Sequence, residues 1–207
     1  MEIVTYIWKG FVMGLCASAP IGPVALMAIS KSLNEGRRSG FYCGLGGAVT
    51  DTTYAAVVAF AISFLHQFIQ QHTSWIELIG GLIIMYLGWT MFRAQPRMAE
   101  DGSTAVTRKE YGVYFLKATV TGLSNAGALF IMFALFASFG LSQARPFWAS
   151  CLVVASLFAG AVSYWAVMSF LLSKLHRFVQ LRHVLWINRL AGLGVIGFGL
   201  YLLIRSL

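Results

Sequence analysis

Charge is scarce in this chain. Only 11% of its 207 residues are Asp, Glu, Lys or Arg, and seven are acidic. Soluble domains carry about 25% charged residues, so a water-facing fold does not fit this balance. Cysteine is scarce too. Cys16, Cys43 and Cys151 form no C-x-x-C, which excludes a dithiol redox centre or a zinc ribbon, and they read as small packing residues. The four histidines, His66, His72, His176 and His183, fall at the ends of apolar stretches or between them. No metal site and no deep Ser–His pair is expected from that placement. Paired deep aspartates are missing as well, so intramembrane proteolysis has no catalytic groups, and neither an enzyme nor a cofactor is expected.

The formal net charge is +8, which raises nucleic acid as a partner. The basic residues are scattered over loops and form no stripe on one element, so no nucleic-acid partner is expected.

What the chain has is apolar sequence, 58% of residues. Six stretches approach or exceed the about 20 residues that cross a bilayer. They run over Thr5–Leu33, Gly40–Leu65, Ser74–Phe92, Tyr111–Phe139, Pro146–Leu172 and Val184–Ile204. This predicts an all-α membrane protein with six transmembrane helices and the lipid bilayer as its surroundings. Ala17-Ser18-Ala19 resembles a signal-peptide cleavage site, but Pro20 would follow the cut and the apolar run continues. The segment is therefore taken as a mature helix.

Loop charges set the orientation. Lys31, Arg37 and Arg38 follow the first helix, Arg93, Arg97, Arg108 and Lys109 the third, and Lys174, Arg177 and Arg182 the fifth. The alternate loops are poor in base. Basic loops stay in the cytoplasm, so both termini are expected outside.

The longest loop, Ala94 to Glu110, mixes both charge signs with Pro96 and Gly102. It reads as a cytoplasmic linker (94–110) between two three-helix halves, residues 1–93 and 111–207. Short matches relate the halves. Trp75-Ile76 pairs with Trp186-Ile187 at a spacing of 111, Tyr54 with Tyr164 at 110, and Ala25-Leu26 with Ala128-Leu129 at 103. Three spans is an odd number, so the second half must insert upside down. The expected architecture is two inverted three-helix repeats with a site near the midplane. Glycines on the second helix (Gly40, Gly44, Gly46, Gly47) and the sixth (Gly192, Gly194, Gly197, Gly199) permit close packing, and one such face is a candidate homodimer surface.

The first stretch carries Ser18-Ala19-Pro20-Ile21-Gly22-Pro23 where a spanning helix should be continuous. Each proline removes a backbone donor and crowds the preceding turn. Irregular backbone survives at membrane depth only inside protein or beside water. The first helix is therefore expected to break at mid-membrane, where secondary transporters place their substrates. A kink that serves packing alone is the plainer alternative.

Asp51 lies near the middle of the second stretch. A carboxylate there costs about 2.5–3.5 kcal/mol on insertion scales, so it needs a partner or a task. It can carry a proton, bind a cationic amino group, or accept hydrogen bonds from the broken backbone. Tyr54, three residues on, is expected on the same face. Thr121-Gly122-Leu123-Ser124-Asn125-Ala126-Gly127 occupies the corresponding place in the fourth helix. Gly122 and Gly127 permit unwinding there without proline. Asn125 can satisfy freed backbone, hold a substrate or join two helices.

Gly22-Pro23-Val24, Leu26-Met27, then Leu33-Asn34-Glu35-Gly36-Arg37-Arg38-Ser39-Gly40-Phe41, then Gly44-Leu45-Gly46 with Asp51 and Tyr54, resemble the LysE/RhtB family of bacterial amino-acid exporters. The resemblance extends over length, span number, the charged central loop and the polar fourth helix. It implies a proton-coupled, inner-membrane efflux permease for amino acids or close analogues, working by alternating access. Family motif residues carry over to Gly22, Pro23 and Asp51. The family typically has Asn-Pro-Lys in the fourth helix; here Asn125 is followed by Ala126 and Gly127.

The expected substrate site comprises Pro20, Gly22, Pro23, Asp51, Tyr54, Ser124 and Asn125. The substrate carboxylate would meet a half-helix N-terminus near Pro23 or Asn125, and Asp51 would take the amino group or the coupling proton. A transporter or channel for another small solute or ion is the alternative.

Overall fold

The computed structural model describes residues 2–19, 22–64, 108–125, 127–141, 143 and 145–174, with isolated helical positions between 78 and 93 and between 189 and 204. The described residues form helices and no strand. The third and sixth predicted spans lie mostly outside them, as do Pro20 and residues 94–107 of the 94–110 linker, whose last three residues are helical.

Proline and glycine place the first break where the sequence implies it. α1 (Glu2–Ala17) closes with Ser18 N–H donating to the Gly14 carbonyl at 3.2 Å. α2 (Pro23–Asn34) opens with Pro23 in its first turn, where a missing N–H costs nothing. Between them Gly22 adopts φ 96°, and nothing lies within 4 Å of a Cβ built on it. Conformation, not crowding, requires glycine at this position. α3 (Arg37–Phe64) is continuous over 28 residues.

The fourth span breaks without proline. α4 (Arg108–Leu123) and α5 (Gly127–Ser138) meet at a 76° bend. The chain leaves α4 through Asn125 N–H, which donates to the Gly122 carbonyl at 3.0 Å. α5 ends in a Schellman turn. Gly140 (φ 66°) donates to Ala137 at 3.0 Å, and Leu141 donates to Phe136 at 2.7 Å. α6 (Phe147–Lys174) is again continuous over 28 residues, and it is by itself long and apolar enough to span a bilayer.

Helix lengths therefore run 16, 12 and 28 residues in α1–α3 and again 16, 12 and 28 in α4–α6. Packing follows the same order. α1 lies parallel to α6, with Tyr6 on Trp148, Gly10 on Val153 and Gly14 on Leu157. α4 lies parallel to α3, with Tyr42 stacked on Tyr111, Gly46 on Ala118 and Tyr54 reaching Leu123. α3 and α6 run antiparallel, with Gly44 against Trp165 and Phe60 against Phe147.

Small and hydroxyl residues share the interior with larger apolar side chains such as Met13, Phe136 and Leu157. Ala28, Ala48, Ala118 and Ala161 are buried, with Ser39, Ser150 and Ser169. Large apolar side chains face outward, among them Trp8, Leu116, Phe147 and Val167. An outer face this apolar suits lipid, where helices associate through close backbone approach. Of the cysteines, only Cys43 is buried. Cys16 and Cys151 are exposed, so the expectation that all three pack inside holds for one. Both exposed thiols project from helix faces turned away from the core.

Gly14 tests this packing. A methyl there would overlap the Leu157 carbonyl and approach the Ala161 nitrogen at 2.8 Å. Gly14→Ala should destabilise by about 1–3 kcal/mol, read as a lowered thermal midpoint in detergent. At Gly112 a Cβ meets nothing within 4 Å, so Gly112→Ala should hold or gain up to about 1 kcal/mol. Similar midpoints for the two variants would contradict the α1–α6 interface.

Candidate functional site

One short segment of α3 serves both helix breaks. Thr50 and Tyr54 are four residues apart and share a face. Thr50 Oγ1 donates to its own helix at the Gly46 carbonyl (3.1 Å) and lies 3.3 Å from the Thr119 carbonyl of α4. Tyr54 OH donates to the Leu123 carbonyl at 2.9 Å, with the Gly122 and Asn125 carbonyls at 3.4 and 3.3 Å. All three carbonyls lie at the α4–α5 bend, where Gly122 and Asn125 also accept from the Asn125 and Ala128 N–H groups at 3.0 Å. Asp51 lies about 100° further round α3 and faces the other break. Its Oδ2 accepts a hydrogen bond from Ser18 Oγ at 3.2 Å, and Ser18 is buried. The two neighbouring threonines are less engaged, with Thr52 and Thr53 hydroxyls donating to Ala48 and Val49 of their own helix.

The two breaks and α3 enclose a cavity of about 60 Å³. Ser18 and Ala19 line it from the end of α1, Pro23, Val24 and Ala25 from the start of α2, and Asn125 from the second break. Gly47, Thr50 and Asp51 supply the α3 wall, and Trp165 of α6 closes the far side. The positive end of the α2 dipole and the Asp51 carboxylate thus border one small space. Gly22, the residue before α2, has no side chain to cap that terminus. The Trp165 indole Nε1 is buried with no hydrogen-bond partner. An unpaired buried donor costs about 1–3 kcal/mol, so it is a feature to be explained.

Of the residues expected at the site, Pro23, Asp51 and Asn125 meet at this cavity. Gly22 adjoins it as the residue ahead of α2. Tyr54 does not share the Asp51 direction: its hydroxyl goes to the α4 break, because position 54 follows Thr50 and not Asp51 round the helix. Ser124 is exposed and donates to the Val120 carbonyl at 2.8 Å. Pro20 lies outside the described residues. Sequence reasoning missed Ser18, Thr50, Gly47 and Trp165 as cavity walls. A tryptophan far from either end of a long apolar helix was the available signal, since membrane tryptophans favour the interfaces. Among the described residues no group of His, Cys, Asp and Glu is arranged to hold a metal ion.

A helical bundle with two interrupted helices around a half-buried carboxylate is the form of a membrane transporter. The chain belongs to the LysE type translocator family, whose model matches residues 15–206. It is similar to a membrane protein of Escherichia coli K12, YahN, at 24% identity over 72% of this chain and 66% of that protein. It is also similar to a Bacillus subtilis 168 protein named "Putative amino acid efflux protein YcgF", at 23% identity over 92% of this chain and 91% of that one. No solved structure matches. The family is one of membrane transporters.

Tyr54→Phe leaves the Leu123 carbonyl without its partner and should destabilise by about 1–3 kcal/mol. Thr53→Ala removes a hydroxyl bonded only within α3 and should change stability by less than about 0.5 kcal/mol. Thermal midpoints in detergent compare the two. Equal effects would show that the Tyr54 hydroxyl does not hold the break.

Proposed function

We propose that this protein exports amino acids or close analogues across the bacterial inner membrane in exchange for protons. The observation that carries this reading is the placement of Asp51 opposite the α2 N-terminus across one cavity. An amino acid presents a carboxylate and an ammonium group. The helix N-terminus favours the carboxylate, and Asp51 favours the ammonium. The name of the Bacillus relative agrees with this chemistry.

Asp51 couples the two fluxes. A lone carboxylate at membrane depth crosses between access states most easily when neutralised. Substrate ammonium neutralises it in one direction, and a proton does so on return. The two compete for the same oxygen atoms, which makes the exchange obligatory.

The chain is read as two inverted repeats. The matching helix lengths and the antiparallel contact of α3 with α6 support this. The basic loops place both termini outside. The cavity of about 60 Å³ has room for a few waters, so it must widen to take a solute. Rocking of one half on the other across the α3–α6 contact provides that change and gives alternating access.

Proteoliposomes test the coupling. Asp51→Asn should abolish export driven by a proton gradient while substrate–substrate counterflow survives with a raised half-saturation. Driven export at the wild-type rate in that variant would remove Asp51 from the coupling step.

A further inference from the structure

Trp165 is a cavity wall whose buried polar atom has no hydrogen-bond partner among the described residues. Its side chain is 3% exposed. The five-membered ring lies over Gly44 of α3, where any Cβ would overlap it. Its Nε1 sits 3.8 Å from the Cβ position of Gly47, one turn along. Gly47 and Trp165 both line the cavity, and the N–H end of the indole is the end beside Gly47. Asp51 lies one further turn along α3, about 6 Å by helical rise. A donor and an acceptor thus stand at neighbouring levels of the same small space, and the donor has no partner among the described residues.

Phenylalanine would fill an apolar gap without stranding a polar atom. Gly44 is kept clear of a side chain, and the space admits the indole of Trp165. The start of α2 borders the same level, with Val24 Cγ1 3.0 Å from the Gly47 Cβ position. Two kinds of donor therefore converge, a helix N-terminus and an indole N–H.

We infer that the Trp165 indole N–H donates a hydrogen bond to the substrate carboxylate, while Asp51 takes the opposite end of the molecule. This rests on the amino-acid reading above. It assigns α6 a direct part in recognition, so that the two 28-residue helices each contact one end of the substrate.

The test is counterflow with wild type and Trp165→Phe, using an exchanged amino acid and the amine left by its decarboxylation. Trp165→Phe should raise the half-saturation for the amino acid about tenfold or more, the effect of one hydrogen bond to a charged group. The maximal rate should hold, the half-saturation for the amine should not change, and the thermal midpoint should not fall. Should that variant fail to fold, benzothienylalanine at position 165 keeps the bicyclic shape and replaces N–H by sulfur, with the same expected result. An unchanged half-saturation for the amino acid, as expected if water alone satisfies the N–H, overturns the contact. Equal weakening for acid and amine overturns it as well. If wild type exchanges no amino acid at all, the proposed function fails and this contact falls with it.

Discussion

Two helices are interrupted in apolar surroundings, and the backbone groups set free there must find partners. That requirement organises the structure. A freed carbonyl or hydroxyl that water does not reach needs a side chain from a neighbour. Thr50, Asp51 and Tyr54 of α3 fill this role within little more than one turn. Asp51 receives Ser18 from the first break, and Tyr54 reaches Leu123 at the second. The same helix therefore holds both interruptions at one level. The glycines of α3 allow this by letting α4 and α6 approach its backbone, as Gly46 does for Ala118 and Gly44 for Trp165.

The site follows from the fold. Interrupting a helix exposes a positive N-terminus, and the nearest side chain of opposite sign is the carboxylate that stitches the break. On the proposed reading, structural and chemical roles coincide in Asp51. A carboxylate that serves as a hydrogen-bond acceptor in the resting bundle is also the group that a cationic solute or a proton would meet.

Much of this was legible in the sequence, for local reasons. Pro23 with Gly22 states a helix start after a turn that only glycine adopts readily, and the structure has both. Asp51 stood out because burying a carboxylate in an apolar run is costly. The α3 glycines announced close packing. Other parts depend on neighbours that a single chain segment does not name. Ser124 and Tyr54 both looked like site residues. Yet one hydroxyl turns back on its own helix and the other goes to the α4 break, and only the relative rotation of α3 and α4 decides this. Trp165 was hidden because an aromatic residue in an apolar helix reads as packing until its nitrogen is seen to lack a partner. Cys16 and Cys151 misled for the opposite reason, since small residues suit an outer face as well as an interior.

The central claim is that the cavity between the two breaks is where solute binds. Ala128 lines it and is partly buried, so a cysteine there reports on the space directly. The decisive measurement is the alkylation rate of Ala128→Cys, in a background with Cys16, Cys43 and Cys151 replaced by serine or alanine. The rate is taken with and without an amino acid that the protein exchanges. The account predicts slower alkylation as substrate rises, with half-protection at the concentration that half-saturates counterflow. Alkylation at the same rate at every substrate concentration would place the solute elsewhere and contradict the account.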